Sequence, residues 1–297
     1  MSLCWLLLGV LSLAAVFWPT PRRRYCSELC SAHRAIAARA WDDFDRRVQR
    51  ARKAALRMAS GPMQEYALGD LDILEAQGAY FRGQLERAGG RLRFAVEHIE
   101  RAGAPDRNIK ISMARHFLGD VHLDGGDLEQ AAEQYRAAVQ TVAFTGEPEM
   151  AIFSLQRLSD VLIEKREMQE ALEVVEQCVE YEQRILAKAD AKSRPMISMI
   201  RPDLALASRD YATAERLFRE KVDYWSRMEN RSENIDLTRY QFHLAAAQQE
   251  LGRYEAAEET LRQACELALR DYGPQHPRTA RARRKLSQVS QLAEAAR

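Results

Sequence analysis

The sequence predicts an all-α protein, a right-handed α-solenoid of antiparallel helix pairs preceded by a hydrophobic N-terminal anchor helix. Three observations support this fold class. Glycine (14) and proline (9) are sparse among the 297 residues, whereas alanine, leucine, glutamate, arginine and glutamine, all strong helix formers, dominate. No run of alternating β-branched residues indicates a strand. One pattern of residues recurs about every forty positions, which indicates stacked repeats.

The N-terminal segment from Leu3 to Trp18 carries no charged residue. At about 1.5 Å per helical residue, it is close to the length that crosses a bilayer. Three arginines follow at positions 22–24, and the positive-inside rule then places the body in the cytoplasm with the N-terminus outside. We expect residues 1–20 to be a retained single-pass membrane anchor. The alternative is a cleaved export signal, which would leave a periplasmic or secreted protein.

The rest of the chain is predicted to divide into two parts. Residues 21–65 are rich in arginine and are expected to form a basic juxtamembrane helical segment. This segment would pack against the first repeat, contact anionic lipid headgroups, or do both. Residues 66–297 are expected to form a superhelix of about five helix pairs with a C-terminal capping helix.

The repeated pattern begins at five evenly spaced positions. Its best copy begins at Ser112, and two further good copies begin at Ile152 and Thr238. Partial copies begin at Leu71 and Pro195, so the five starts are 41, 40, 43 and 43 residues apart. Each unit needs a small residue at its eighth position and an alanine at its twentieth, where the first helix meets the second. Large residues at positions such as the twenty-fourth are predicted to fill the space between units.

These positions resemble the consensus of the tetratricopeptide repeat. The best copy carries the matching residues Leu118, Gly119, His122, Gly126, Leu128, Ala131, Tyr135 and Ala138. After the last full unit, a linker resembles the one between the long repeats of kinesin light chain, through Gly273, Pro274, His276, Pro277, Thr279 and Ala280. The resemblance covers about residues 71–297. It implies a scaffold that binds other proteins.

A stack of tetratricopeptide repeats presents its first helices on a concave groove. By their position in the repeat, the residues predicted to line this groove are His116, Asp120, Asp124, Phe153, Gln156, Asp160, Glu164, Met199, Asp203 and Phe242. Carboxylates outnumber bases among the predicted groove positions. The sequence therefore predicts a groove for a basic or amphipathic peptide, with aromatic and methionine side chains as anchors. The alternative is an ordinary solvated helix face.

No catalytic motif stands out, because the chain lacks a phosphate-binding loop, a nucleophile elbow and a paired-histidine zinc motif. His116 and Asp120 share a helix face and are the best metal candidates, but His122 occupies a packing position of the repeat. We therefore expect no catalytic residues, no cofactor and no metal. A closed pocket with strongly perturbed acids or bases would instead favour an enzyme.

The predicted function is a membrane-anchored scaffold or adaptor that holds partner proteins in the groove. The expected partners are proteins or peptides, together with the membrane through residues 3–18. Nucleic acid is not expected, since the formal net charge is only +1. No small-molecule substrate is expected, because no catalytic motif is present. The alternative function is an exported or organellar repeat protein that assists the assembly of an envelope or membrane complex.

Overall fold

The computed structural model describes residues 20–143, 148–188, 200–227 and 235–296. Over these ranges the chain forms thirteen α-helices and no strand, which confirms the all-α class. It divides into two compact units, Met1–Val121 and His122–Arg297. None of the described helices is long and apolar enough to cross a membrane. The predicted anchor at 3–18 lies outside the described residues, so the anchor and the handedness of the stack stay predictions.

Four helices and most of a fifth belong to the first unit in its described part. They are α1 (Thr20–Ala37), α2 (Trp41–Ala55), α3 (Pro62–Phe81), α4 (Leu85–Ala102) and α5 (Arg107–Gly125). The helices α3 and α4 form an antiparallel pair, because Gly69 near the start of α3 lies against Ala95 and Ile99 near the end of α4. A Cβ atom at Gly69 would lie 2.6 Å from Cγ1 of Ile99. Only glycine therefore fits at this crossing.

The second unit continues the alternation of paired helices. Its helices are α6 (Leu128–Val142), α7 (Pro148–Glu164), α8 (Met168–Lys188), α9 (Arg201–Ala207), α10 (Tyr211–Ser226), α11 (Ile235–Glu250), α12 (Tyr254–Tyr272) and α13 (Pro277–Ala295). The helices α7, α9 and α11 each come first in a pair, and α8, α10 and α12 come second. The final helix, α13, packs against α12.

Six turns share one geometry, in which a left-handed residue ends the first helix of a pair. The amide of the next residue donates to the carbonyl five positions back, as in Asp127 N to His122 O at 2.9 Å and Arg253 N to Gln248 O at 2.8 Å. This pattern is the Schellman motif. The left-handed residues are Arg39, Gly83, Gly126, Arg166, Arg209 and Gly252. Their spacing follows the repeat, so the period read from the sequence reflects a recurring backbone structure.

Equivalent positions of the second unit are buried as the repeat requires. The alanines predicted at the contact between paired helices are all 0% exposed, namely Ala131, Ala171, Ala214 and Ala257. The large residues predicted four positions further on are also buried, namely Tyr135, Val175, Phe218 and Leu261. Small residues let the paired helices approach, and the larger ones fill the space that remains.

The linker before α13 is ordered by its own polar side chains. His276 caps the helix, because its Nδ1 accepts a hydrogen bond from the amide of Arg278 at 3.1 Å. The hydroxyl of Thr279 donates to the carbonyls of Ala268 and Gly273, at 3.1 and 2.8 Å. These bonds fix the direction in which α13 leaves α12. They give a physical reason for the histidine and the threonine of the linker.

The basic segment 21–65 forms a further helix pair, α1 and α2, which the sequence did not assign to the repeats. Its turn at Arg39 has the same left-handed geometry as the five others. Its core contains Tyr25 and Phe44, and the Tyr25 hydroxyl donates to the carbonyl of Ala67 at 2.9 Å. The segment therefore packs as a repeat does, although Phe44 stands where the other repeats have alanine.

Candidate functional site

A cleft of about 490 Å³ lies in the second unit. Its sides are formed by α7, α9 and α11, which come first in their pairs, and by α13. These are the helices from which a repeat stack presents its inner face. Two turns add the side chains of Arg166 and Arg209 at its edge.

A buried ion-pair cluster forms the floor of the cleft, and it joins α7, α9 and α11. The Arg239 guanidinium donates to both carboxylate oxygens of Asp160, with Nη2 to Oδ1 at 2.7 Å and Nε to Oδ2 at 2.8 Å. The same Nη2 donates to Oδ1 of Asp203 at 2.8 Å. His243 Nε2 lies 2.8 Å from Oδ1 of Asp160, and its ring stacks on Phe218 with centroids 5.2 Å apart.

The two carboxyl groups of this cluster have opposite pKa shifts. Burial alone would raise the pKa of Asp160, but the charge of Arg239 and the contact with His243 outweigh burial and hold the pKa well below its usual range. Burial dominates for Asp203, whose pKa is raised because Arg239 compensates it less fully. One oxygen of Asp203, Oδ2, is buried without a hydrogen-bond partner among the described residues.

The floor could offer three ligand atoms to a metal ion, from Asp160, Asp203 and His243, all within 4.8 Å of one another. Arg239 already lies between the two carboxylates and supplies the positive charge that a cation would bring. A metal would have to displace this buried guanidinium. The donor set therefore fits an arginine-centred ion-pair cluster better than a metal centre.

A second cluster forms the wall along α13. Arg281 and Lys285 both pair with Glu164, and the Lys285 Nζ lies 3.1 Å from its Oε2. Burial alone would raise the pKa of Glu164, but these two cations outweigh it and lower the pKa to about 2. Phe242 lies beneath both cations, with the Arg281 Cζ 5.5 Å and the Lys285 Nζ 5.7 Å from the ring centroid. Arg278 pairs with Asp124 at 3.2 Å.

Only some of the residues that were predicted to line the groove lie at the cleft. Asp160, Glu164 and Phe242 line the cleft, while Asp203 and Asp124 lie behind it and pair with lining arginines. Phe153 lies in the first half of α7 and is exposed, and Gln156 lies at the middle of this helix. His116 and Asp120 lie on α5 in the first unit, with Nε2 and Oδ2 3.8 Å apart. Met199 lies outside the described residues.

The charge of the lining is the reverse of the balance that the sequence predicted. Among the described residues, seven basic side chains line the cleft, against the three acidic residues Asp160, Glu164 and Glu250. Counting Asp124 and Asp203 behind the lining still leaves seven bases to five acids. The prediction of a basic or amphipathic partner counted only the groove positions of first helices, and it stays a prediction. Long side chains from α13 and from the turns also reach the cleft.

Three basic residues of α13 line the cleft and were not predicted to do so from the sequence. Arg278, Arg281 and Lys285 recur at intervals of three and four residues, so they share one helix face. That spacing was a signal available in the sequence. The segment was instead assigned a capping role, in which a charged face is expected to meet solvent.

Helix pairs that recur with one turn geometry define a helical repeat protein. Residues 236–296 match the tetratricopeptide repeat family. Over that range the chain carries the tetratricopeptide repeat. The closer resemblance to the long repeats of kinesin light chain stays a prediction.

Solved structures share this fold at low sequence identity. The chain is similar to aspartyl phosphate phosphatase F from Bacillus subtilis, with 10% identity and a TM-score of 0.57 over 92% of this chain and 71% of that one. It is also similar to the apo form of RapI, with 11% identity and a TM-score of 0.56 over 89% of this chain and 99% of that one. At such identities the likeness shows the fold alone. No curated protein sequence matches the chain.

Proposed function

We propose that this protein is a membrane-tethered scaffold that holds a segment of a partner protein in the cleft of its second unit. The observation that carries the proposal is that the cleft is formed by the first helices of successive pairs. Apolar side chains, including Ile163, Leu206 and Phe242, alternate with charged ones along it. A partner segment would bury the apolar groups and pair with the charged ones.

The perturbed carboxyl groups of the floor support a structural role better than a catalytic one. Asp160 and Asp203 have shifted pKa values because they are buried together around Arg239. Ion-pair networks shift pKa values without taking part in chemistry. We therefore propose that the cluster ties α7, α9 and α11 together and that the protein acts by binding.

The proposed tether is the uncharged segment 3–18, which precedes the arginines at 22–24. Such a segment favours insertion, and the basic residues that follow favour the cytoplasmic side for the body. The repeats would then recruit a soluble partner to the membrane surface.

Filling the cleft should abolish partner binding. Ala246 lines the cleft on α11, so tryptophan there would occupy the space that a partner segment needs. We expect Ala246→Trp to reduce the capture of partner proteins from native membranes and cytosol by at least about tenfold. The measurement is affinity capture followed by quantitative mass spectrometry.

Ala256→Trp provides the matched control, because Ala256 is exposed on the second helix α12. This variant should capture the same proteins as the native chain. If the two tryptophan variants capture equal amounts of every protein, the cleft is not the binding surface.

The mature N-terminus tests the tether. We expect mass spectrometry of the protein from its native cell to find a peptide that begins within the first few residues and contains segment 3–18. The protein should also stay with the membrane fraction after a carbonate wash. A mature chain that starts after about residue 18 would contradict the tether and would indicate an exported protein.

A further inference from the structure

Three of the six helix-ending turns place an arginine in the left-handed conformation. Arg39, Arg166 and Arg209 have φ angles of 53°, 64° and 63°, whereas glycine occupies the three other equivalent positions. A residue with a Cβ atom is disfavoured in this region and glycine is not. Residues held in a disfavoured conformation are often kept for a function of their side chains.

Two of these arginines, Arg166 and Arg209, lie at the edge of the same cleft. The Arg166 side chain is 77% exposed, and its Nη2 reaches Glu250 only at 3.9 Å. Arg209 is exposed and has no ion-pair partner within the described ranges. The two guanidinium groups thus differ from Arg239 and Arg281, which are buried in ion pairs. Their hydrogen-bond donors are available to a ligand.

The rest of the lining favours an anionic ligand with apolar groups. Basic side chains outnumber acidic ones in the cleft even when the buried carboxylates behind its lining are counted. The additional positive charge lies on the exposed side chains of Arg166 and Arg209. Arginine binds a carboxylate through two parallel hydrogen bonds, which makes it well suited to acidic side chains. Met168 and Tyr211 lie two residues after these arginines and also line the cleft. They place apolar surface beside each charge.

We propose that the cleft binds an acidic segment of a partner protein, in which aspartate or glutamate alternates with apolar residues. Arg166 and Arg209 would bind its carboxylates at the edge, while Phe242 and its neighbours bury the apolar side chains. This inference rests on the proposed function, since it names the partner of the same cleft. The partner would be selected because its acidic side chains complement the positive charge of the two arginines at the edge of the cleft.

A random peptide library displayed on phage tests this proposal on the full chain in detergent. Peptides selected by the native chain and lost with Ala246→Trp define ligands of the cleft. We expect these peptides to be enriched in aspartate and glutamate, with affinity that falls as salt rises. Failure to select any peptide that depends on Ala246 would overturn the proposed function. Selection of neutral or basic peptides would overturn only the inference.

Substitution of the turn arginines by glycine separates binding from folding. We expect the double variant Arg166→Gly and Arg209→Gly to bind the selected acidic peptide at least about tenfold more weakly than the native chain does. The melting temperature of this variant should rise by a few degrees. Arg39→Gly, at the equivalent turn of the first unit, should leave peptide affinity unchanged. Equal affinity of the double variant and the native chain would overturn the proposal. So would a single-stranded oligonucleotide that binds as tightly as the peptide.

Discussion

Replacing Arg239 by methionine is expected to lower the free energy of unfolding by about 3–5 kcal/mol. The substitution leaves Asp160 and Asp203 buried and facing each other without their shared cation. A buried carboxylate that loses its partner must be desolvated without compensation or take up a proton. Urea unfolding of the full chain, followed by circular dichroism, measures the change.

Arg262→Met is the matched control, because Arg262 pairs with Glu258 and Glu259 on the exposed face of α12. Surface pairs contribute at most about 1 kcal/mol, so the control should unfold almost as the native chain does. Adding Asp160→Asn and Asp203→Asn to Arg239→Met should recover part of the loss, since the buried charges are then gone. Equal stability of the two methionine variants would show that the cluster does not hold the floor together.

Replacing Phe218 by alanine is expected to lower the free energy of unfolding by about 3–5 kcal/mol. Phe218 is completely buried on α10 and occupies the twenty-fourth position of its repeat. Its ring stacks on His243 and lies 6.4 Å from the ring of Tyr240. Truncation would leave a cavity beneath the floor cluster, which the surrounding helices can fill only in part.

Tyr224 on the same helix supplies the control, because its side chain is 54% exposed. Tyr224→Ala should change the free energy of unfolding by less than about 1 kcal/mol. Phe218→Ala should also weaken partner binding, since His243 and Asp160 would lose their support. If the two alanine variants unfold at the same urea concentration, the twenty-fourth position does not carry the packing between repeats.

The repeated helix pairs could be predicted from the sequence because the interactions that determine them lie within one repeat. The contact between paired helices requires alanine, the space between repeats requires a large residue four positions further on, and each turn requires a left-handed residue. These requirements recur at fixed positions of the repeat, so they can be recognised in the sequence. Ala171 and Phe218 could therefore be assigned to the core from spacing alone. The pair α1–α2 was not predicted because Arg39 stands at its turn instead of glycine and Phe44 stands where the repeat has alanine.

The chemistry of the cleft was harder to predict, because it depends on contacts far apart in the chain. Asp160 was expected to face a ligand, but it is buried against Arg239, which lies 79 residues further along. Glu164 pairs with Arg281 across 117 residues. No spacing rule reveals such pairs, since they depend on how successive first helices lie beside one another. The sign of the cleft's charge follows from these pairs and from the side chains at its edge.

Site-specific photo-crosslinking tests the central claim most directly, namely that a partner protein occupies the cleft of the second unit. A photoreactive benzoylphenylalanine at position 246 would lie within the cleft, and the same group at position 256 would lie on the outer helix α12. We predict that irradiation in living cells yields covalent partner adducts from position 246 and few from position 256. Adducts from position 256 alone, or none from position 246 while the partner is still captured, would contradict the account.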